Sequence, residues 1–115
     1  MKKMNNIEKA ILQAIIKENR SNYSFLEEHY TYLYVKSRDY TNSGIYINFG
    51  YVRQFHSRDI NILLSSKEIL FAENLENELS YIITVTNGKI IFLEIVANGD
   101  DLVNEDTKLN LKPIS

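Results

Sequence analysis

Asn87-Gly88 stands between two runs, Ser80 to Thr86 and Lys89 to Ala97, dominated by Ile, Val, Thr, Tyr and Phe, and it constrains the fold more than any other feature. Both residues tolerate the positive φ angles of a two-residue type I′ turn, whose twist matches that of the flanking strands. The dipeptide therefore predicts a hairpin and its register: Thr86 faces Lys89, Val85 Ile90, Thr84 Ile91, Ile83 Phe92, Ile82 Leu93 and Tyr81 Glu94. In that register Ile83, Val85, Ile90 and Phe92 share one face, while Ile82, Ile91, Leu93 and Ile95 share the other. A ribbon apolar on both sides does not stand alone in water. It belongs at the centre of a sheet with another element packed on at least one face.

The rest of the chain supplies elements to cover such a ribbon. Asn5 or Asn6 is placed to cap a helix in which Ile7, Ala10, Ile11, Ala14 and Ile15 recur at helical spacing, with Glu8, Lys9, Gln13 and Lys17 on the other side. Ser24-Phe25-Leu26-Glu27 reads as a capping box for a short second helix ending near His29. From Thr31 the period changes to two, giving a strand up to the turn at Tyr40 to Gly44 and a second strand over Ile45 to Val52. Gly50 within the second strand predicts a bulge or a close backbone approach. Ser57 or Asp59 is placed to cap a short helix through Ile60, Leu63 and Leu64. Ile69 to Ala72 reads as a strand or strand-like connection, and the tail as a short edge strand or a partly disordered end. The expected fold class is α+β: an N-terminal helix and a short second helix on a four- to five-stranded antiparallel sheet, with the 80–97 hairpin at its centre.

At 115 residues the chain reads as a single domain, 1–115, large enough to bury a core without disulfides or a structural metal. It contains no cysteine, so thiolate nucleophiles and zinc–cysteine sites are excluded. No run approaches the ~20 apolar residues of a membrane helix, and the expected location is the cytoplasm. His29, near Glu27 and Glu28, and His56, near Ser57 and Asp59, bring acid, base and hydroxyl groups close in sequence. Neither forms a nucleophile–base–oxyanion pattern, and both read as structural or exposed. No catalytic residue, metal site or cofactor is expected, and the chain is not read as an enzyme.

Charge is uneven. Residues 1–60 carry nine basic and six acidic side chains, whereas residues 61–115 carry four and nine. The acidic groups Glu73, Glu76, Glu78, Glu94, Asp100, Asp101, Glu105 and Asp106 gather around the hairpin and its exit, a pattern that repels nucleic acid and steers a basic partner. Tyr30, Tyr32 and Tyr34, two residues apart, are expected to project from one side of a strand, with Tyr46 and Tyr51 nearby in sequence. Tyrosine rows serve core packing, protein contact or base stacking; the last calls for a positively charged groove. Glu94 falls on an apolar face in the predicted register, and Arg38 is the expected ion-pair partner, because a guanidinium satisfies both carboxylate oxygens.

Two stretches, Ser37-Arg38-Asp39-Tyr40-Thr41-Asn42-Ser43-Gly44-Ile45-Tyr46 and Asn87-Gly88-Lys89-Ile90-Ile91-Phe92-Leu93-Glu94 running on to Gly99-Asp100, resemble a strand-and-turn pattern of small bacterial proteins. In size, isolation and lack of active-site motifs the chain is similar to immunity proteins of polymorphic-toxin systems, including contact-dependent growth inhibition. The resemblance implies a binding protein that neutralises a cognate toxin, such as a nuclease, by blocking its active site or substrate surface. The partner surface would then comprise Glu73, Glu76, Glu78, Asp100, Asp101, Glu105 and Asp106, with Tyr32, Tyr34 and Tyr46 as aromatic anchors. Such a chain is expected to be a monomer or weak homodimer without direct nucleic-acid or membrane contact. The alternative is a small-molecule-binding or phage-borne accessory domain with a pocket between helix and sheet.

Overall fold

A computed structural model of the chain describes residues 2–99 and 101–113. Helix α1 spans Asn6–Glu18, and Asn5 caps it: Oδ1 accepts from the Glu8 amide at 2.9 Å while Glu8 Oε1 accepts from the Asn5 amide at 2.8 Å. This reciprocal pair satisfies two amides that the first turn leaves without partners. The helix stops at Asn19, whose side-chain amide donates to the Ile15 and Ser65 carbonyls. Two short turns of helix follow, α2 over Arg20–Tyr23 and α3 over Leu26–Tyr30. The capping box expected at Ser24 does not form. Phe25 holds the cap position without a side-chain bond, and the Glu27 carboxylate instead pairs with Arg20.

Strands β1 (Leu33–Tyr40), β2 (Gly44–Tyr51), β3 (Ile62–Leu64), β5 (Ser80–Thr86) and β6 (Lys89–Val96) form one antiparallel sheet in the order β1-β2-β6-β5-β3. Strands β4 (Ile69–Phe71) and β7 (Asn110–Lys112) make a separate two-stranded piece. The tail is therefore a strand, and Ile69–Phe71 pairs with it. The helix expected through Ile60, Leu63 and Leu64 is strand β3. Ile62 and Leu64 lie opposite Val85 and Ile83 on the inner face, and the hairpin tip holds the approach through Arg58 N–H to Asn87 O and Gly88 N–H to Ile60 O. Non-local pairing decides between helix and strand for so short an apolar run.

The hairpin forms about the expected turn, with φ of 52° at Asn87 and 74° at Gly88. Its first two pairs, Thr86–Lys89 and Val85–Ile90, match the predicted register. The register then shifts by one: Thr84 faces Phe92, Ile83 Leu93, Ile82 Glu94 and Tyr81 Ile95. Ile91 is the extra residue of a bulge and is 39% exposed. Because side chains alternate, the shift exchanges Phe92 for Leu93 on the buried face. The inner face is thus Tyr81, Ile83, Val85, Ile90, Leu93 and Ile95, continued by Ile45, Ile47, Phe49, Val35 and Leu64.

Helix α1 lays Ile11, Leu12 and Ile15 into the same core, each fully buried and each contributing about 2 kcal/mol by area. A second bulge, at Lys36 in β1, lets both Val35 and Arg38 turn toward the helix. Gly50 marks a close approach, as expected: a Cβ there would lie 2.6 Å from Cζ of Tyr34, whose ring covers the glycine. Among the described residues, no helix covers the opposite face of the sheet.

Candidate functional site

The register places Asp39, Tyr46, Glu94 and Ile82 side by side in one row across the open face, and Ser37, Asn48, Phe92, Thr84 and Leu63 in the next. Tyr34 over Gly50 extends this face toward the hairpin tip. Most of these side chains are half-buried by their neighbours alone; Leu63 is 60% exposed. Neither row has a lysine or arginine at a paired position, and the bulged Lys36 flanks Ser37 at the β1 edge. The Tyr46 hydroxyl donates to Glu94 Oε2 at 3.1 Å, and this bond to an anion holds the phenol above its ordinary pKa. Asn48 Nδ2 donates to Asp39 Oδ2 at 3.1 Å and to Ser37 Oγ at 3.0 Å, which orients the Asp39 carboxylate.

The expected Arg38–Glu94 ion pair does not form. Arg38 lies opposite Ile47 on the helix side of the sheet, whereas Glu94 lies opposite Tyr46 on the open side. Arg38 instead grips Glu8 of α1 through Nε at 2.6 Å and Nη2 at 2.8 Å, and Nη2 also donates to the Lys3 carbonyl at 3.0 Å. Glu8, expected on the polar side of the helix, is 2% exposed. The Asn5-x-x-Glu8 capping spacing was the sequence signal that Glu8 has a structural task.

Glu76, Glu78 and Asp101 lie in the loops at one end of the sheet, where Gly44, Val96 and Ser80 align. Glu73 and Asp106 line a cleft of about 480 Å³ together with Asn74, Lys108 and Asn110. Glu76 and Glu78 are exposed in the adjoining loop. Asp101 ties that loop down, accepting from the Asn77 amide at 2.9 Å and from the Glu76 amide at 3.4 Å. Its carboxylate is thus engaged in holding the loop. Glu105 sits apart from these, near Asn5 and Tyr40 on the helix side. Asp100 lies outside the described residues. Of the expected aromatic anchors, Tyr46 is near this end and Tyr34 is farther along the same face. Tyr30, Tyr32 and Tyr34 form no row, because Tyr30 ends α3, Tyr32 lies in the following turn and only Tyr34 is in a strand.

Tyr32 belongs to an aromatic cluster at the hairpin-tip end, roughly 20 Å along the strands from the acidic loops. Phe55 packs there on His29, Tyr32 and Tyr51, and Arg53 lies over Tyr32 and Phe55 with its Nη1 3.0 Å from Glu28. The Tyr51 hydroxyl accepts from the Ile90 amide at 2.8 Å and lies 2.9 Å from His29 Nδ1. Burial pushes the Tyr51 phenol up to about 12. His29 is buried within this cluster, and His56 is exposed.

Burial, chiefly, and the nearby Arg58 hold His29 below its ordinary 6.5; Lys89 and Arg53 act in the same direction and Glu28 opposes them. The unfolded chain therefore takes up this proton first as pH falls. The stability associated with neutral His29 is complete above its unfolded value and is lost as pH drops from there through the depressed folded value. Urea midpoints between about pH 7.5 and pH 5 should fall more steeply for the natural chain than for His29→Gln. Equal slopes would show that His29 does not set the acid sensitivity.

Three neighbouring features complete the picture. A groove of about 630 Å³ at the β1 edge is lined by Lys2, Lys3, Lys9, Gln13, Tyr30, Tyr34 and Val52, so the basic first half of the chain has its own pole. Between helix and sheet the core side chains are close-packed, and a cleft there bordered by Ile7, Ile45 and Ile47 holds about 80 Å³. Among the described residues no group of three or more His, Cys, Asp or Glu is arranged to hold a metal ion, and no helix is long and apolar enough to cross a membrane.

The fold is α+β, with an N-terminal helix on one face of a five-stranded antiparallel sheet and the other face open. No protein-family model matches the chain, nor does any curated protein or solved structure.

Proposed function

We propose that this chain is a binding protein of the immunity type. In this reading it neutralises a cognate toxin with a basic active-site or substrate cleft, such as a nuclease, by covering that cleft in the bacterial cytoplasm. The mechanism is steric and electrostatic, without catalysis, and the protein acts as a monomer or weak homodimer. The observation that carries the reading is the open sheet face, where Tyr34, Tyr46, Phe92 and Ile82 are presented beside Asp39, Glu94 and the acidic loops. Aromatic side chains ringed by polar ones supply contact area at low entropic cost, and the acidic end attracts a basic surface.

The test is co-expression with the neighbouring genes and affinity capture. A single stoichiometric protein that is lethal alone and harmless with this chain supports the reading; elution of the chain alone under conditions that preserve a nanomolar complex removes it. Among the described residues the Glu76 and Glu78 carboxylates make no hydrogen bond, so Glu76→Lys with Glu78→Lys should fold normally. That double reversal is expected to slow association with such a partner about tenfold at low salt and to flatten its salt dependence. An unchanged rate would place the contact elsewhere.

A further inference from the structure

The Tyr46 row is built like a receptor for a single cationic side chain. Glu94 is a half-buried carboxylate bordered by Ile82 across β5 and Tyr46 across β2, with Phe92 and Val96 two residues away on its own strand. Apolar neighbours of this kind reduce solvent screening of the charge and make pairing more valuable than it is for an exposed carboxylate. The ion pairs among the described residues are Arg20–Glu27, Arg38–Glu8 and Arg53–Glu28, and Glu94 and Asp39 are in none of them. The Tyr46 hydroxyl meets Oε2 of Glu94 and leaves Oε1 as a further acceptor. Asp39 stands on the other side of the Tyr46 strand, held by Asn48. Adjacent strands are about 4.8 Å apart, so both carboxylates are within reach of one cation lying over the ring between them.

The same chain shows this chemistry in use elsewhere. Arg53 lies 5.1 Å from the centre of the Tyr32 ring while its guanidinium meets the Glu28 carboxylate at 3.0 Å. An aromatic face and a carboxylate together hold a guanidinium by ring quadrupole and charge-assisted hydrogen bonds. Tyr46 and Glu94 reproduce that pair on the open face, with Asp39 as a second anion. Among the described residues no lysine or arginine lies within ion-pair distance of either carboxylate.

We propose that Tyr46, Asp39 and Glu94 form the seat for an arginine or lysine side chain of a basic protein partner, the central contact of the open face. This rests on the reading of the chain as a binding protein for a basic toxin and names the chemistry it recognises. Aromatic side chains that pack well against a partner carry a disproportionate share of binding energy, and Tyr46 and Glu94 lie on the interior strands β2 and β6 rather than at a sheet edge.

The probe is N-acetyl-arginine methylamide, titrated at low salt into the isotopically labelled protein and followed by NMR, with the neutral isostere N-acetyl-citrulline methylamide as control. The expected result is saturable shifts confined to Asp39, Tyr46, Ile82, Phe92 and Glu94, with citrulline at least about tenfold weaker. Glu94→Gln and Tyr46→Leu should each weaken the arginine probe several-fold. Glu94→Gln retains an acceptor for the Tyr46 hydroxyl and faces outward, so its spectrum should otherwise superimpose on that of the natural chain. Equal binding of arginine and citrulline, shifts centred elsewhere, or no saturable shift overturns the seat. If the probe binds here but no toxin is captured, the seat stands and the toxin reading falls. If a toxin is captured whose affinity is unmoved by both substitutions, the seat falls and the binding reading stands.

Discussion

Replacing Arg38 with Ala is expected to lower the unfolding free energy by about 3 kcal/mol, read as a fall in urea midpoint with unchanged slope. Glu8, 2% exposed, would remain buried with only the Asn5 amide bonded to its carboxylate. Leaving one member of a buried pair unmatched costs more than the pair contributes, because the remaining charge loses its solvent without gaining a counter-charge. Arg38→Lys should recover only part of the loss, since an ammonium cannot repeat the two-point contact made by Nε and Nη2. The double substitution Glu8→Leu with Arg38→Met should be far less damaging than Arg38→Ala, for it removes both charges and keeps the volume between helix and strand. Equal damage from the double and single changes would mean that the pair itself, not the stranded carboxylate, dominates. Arg38 also joins three parts of the chain, the N-terminal stretch at Lys3, helix α1 and strand β1, so the substitution should loosen the helix from the sheet.

Leu93→Ala is expected to cost about 3–4 kcal/mol and Phe92→Ala only about 1 kcal/mol. Leu93 is fully buried on the central strand β6, between Ile47 of β2 and Ile83 of β5, and its truncation leaves a cavity that a close-packed sheet core cannot refill. Phe92 points to the open face and loses partial burial only. An unbulged hairpin would put Phe92 with Ile83, Val85 and Ile90 and reverse the two costs. Equilibrium unfolding of the two variants therefore reports the register directly, and a larger cost for Phe92→Ala would show that the Ile91 bulge is absent.

The same two residues separate what was legible in the sequence from what was not. Asn87-Gly88 declares its turn because the requirement is local: two consecutive residues must accept positive φ, and these two do. The Asn5 cap, the periodic apolar face of α1, the close approach at Gly50 and the α+β class are legible for similar reasons, each resting on a short stretch and its own geometry. The Ile91 bulge has no local signature. Ile91 and its neighbours are all good strand residues, and the bulge shows only in the pairing across strands, where Leu93 rather than Phe92 joins the buried face.

The candidate site follows the same division. Acidic loops near the ends of the hairpin were readable as a charge asymmetry, and Tyr46 as an aromatic beside them. That Glu94 and Arg38 lie on opposite faces was not, because each face assignment depends on a bulge in its strand: Ile91 in β6 and Lys36 in β1. Each extra residue inverts the alternation beyond it, so a single unpaired position moves every later side chain to the other side of the sheet. By itself, the sequence determined the turn, the helix cap and the antiparallel class, where the chain interacts with its near neighbours. Only the tertiary structure decided which carboxylate is buried against Arg38, which aromatic meets Glu94, and which face of the sheet is left open, because those depend on register between segments far apart in the chain.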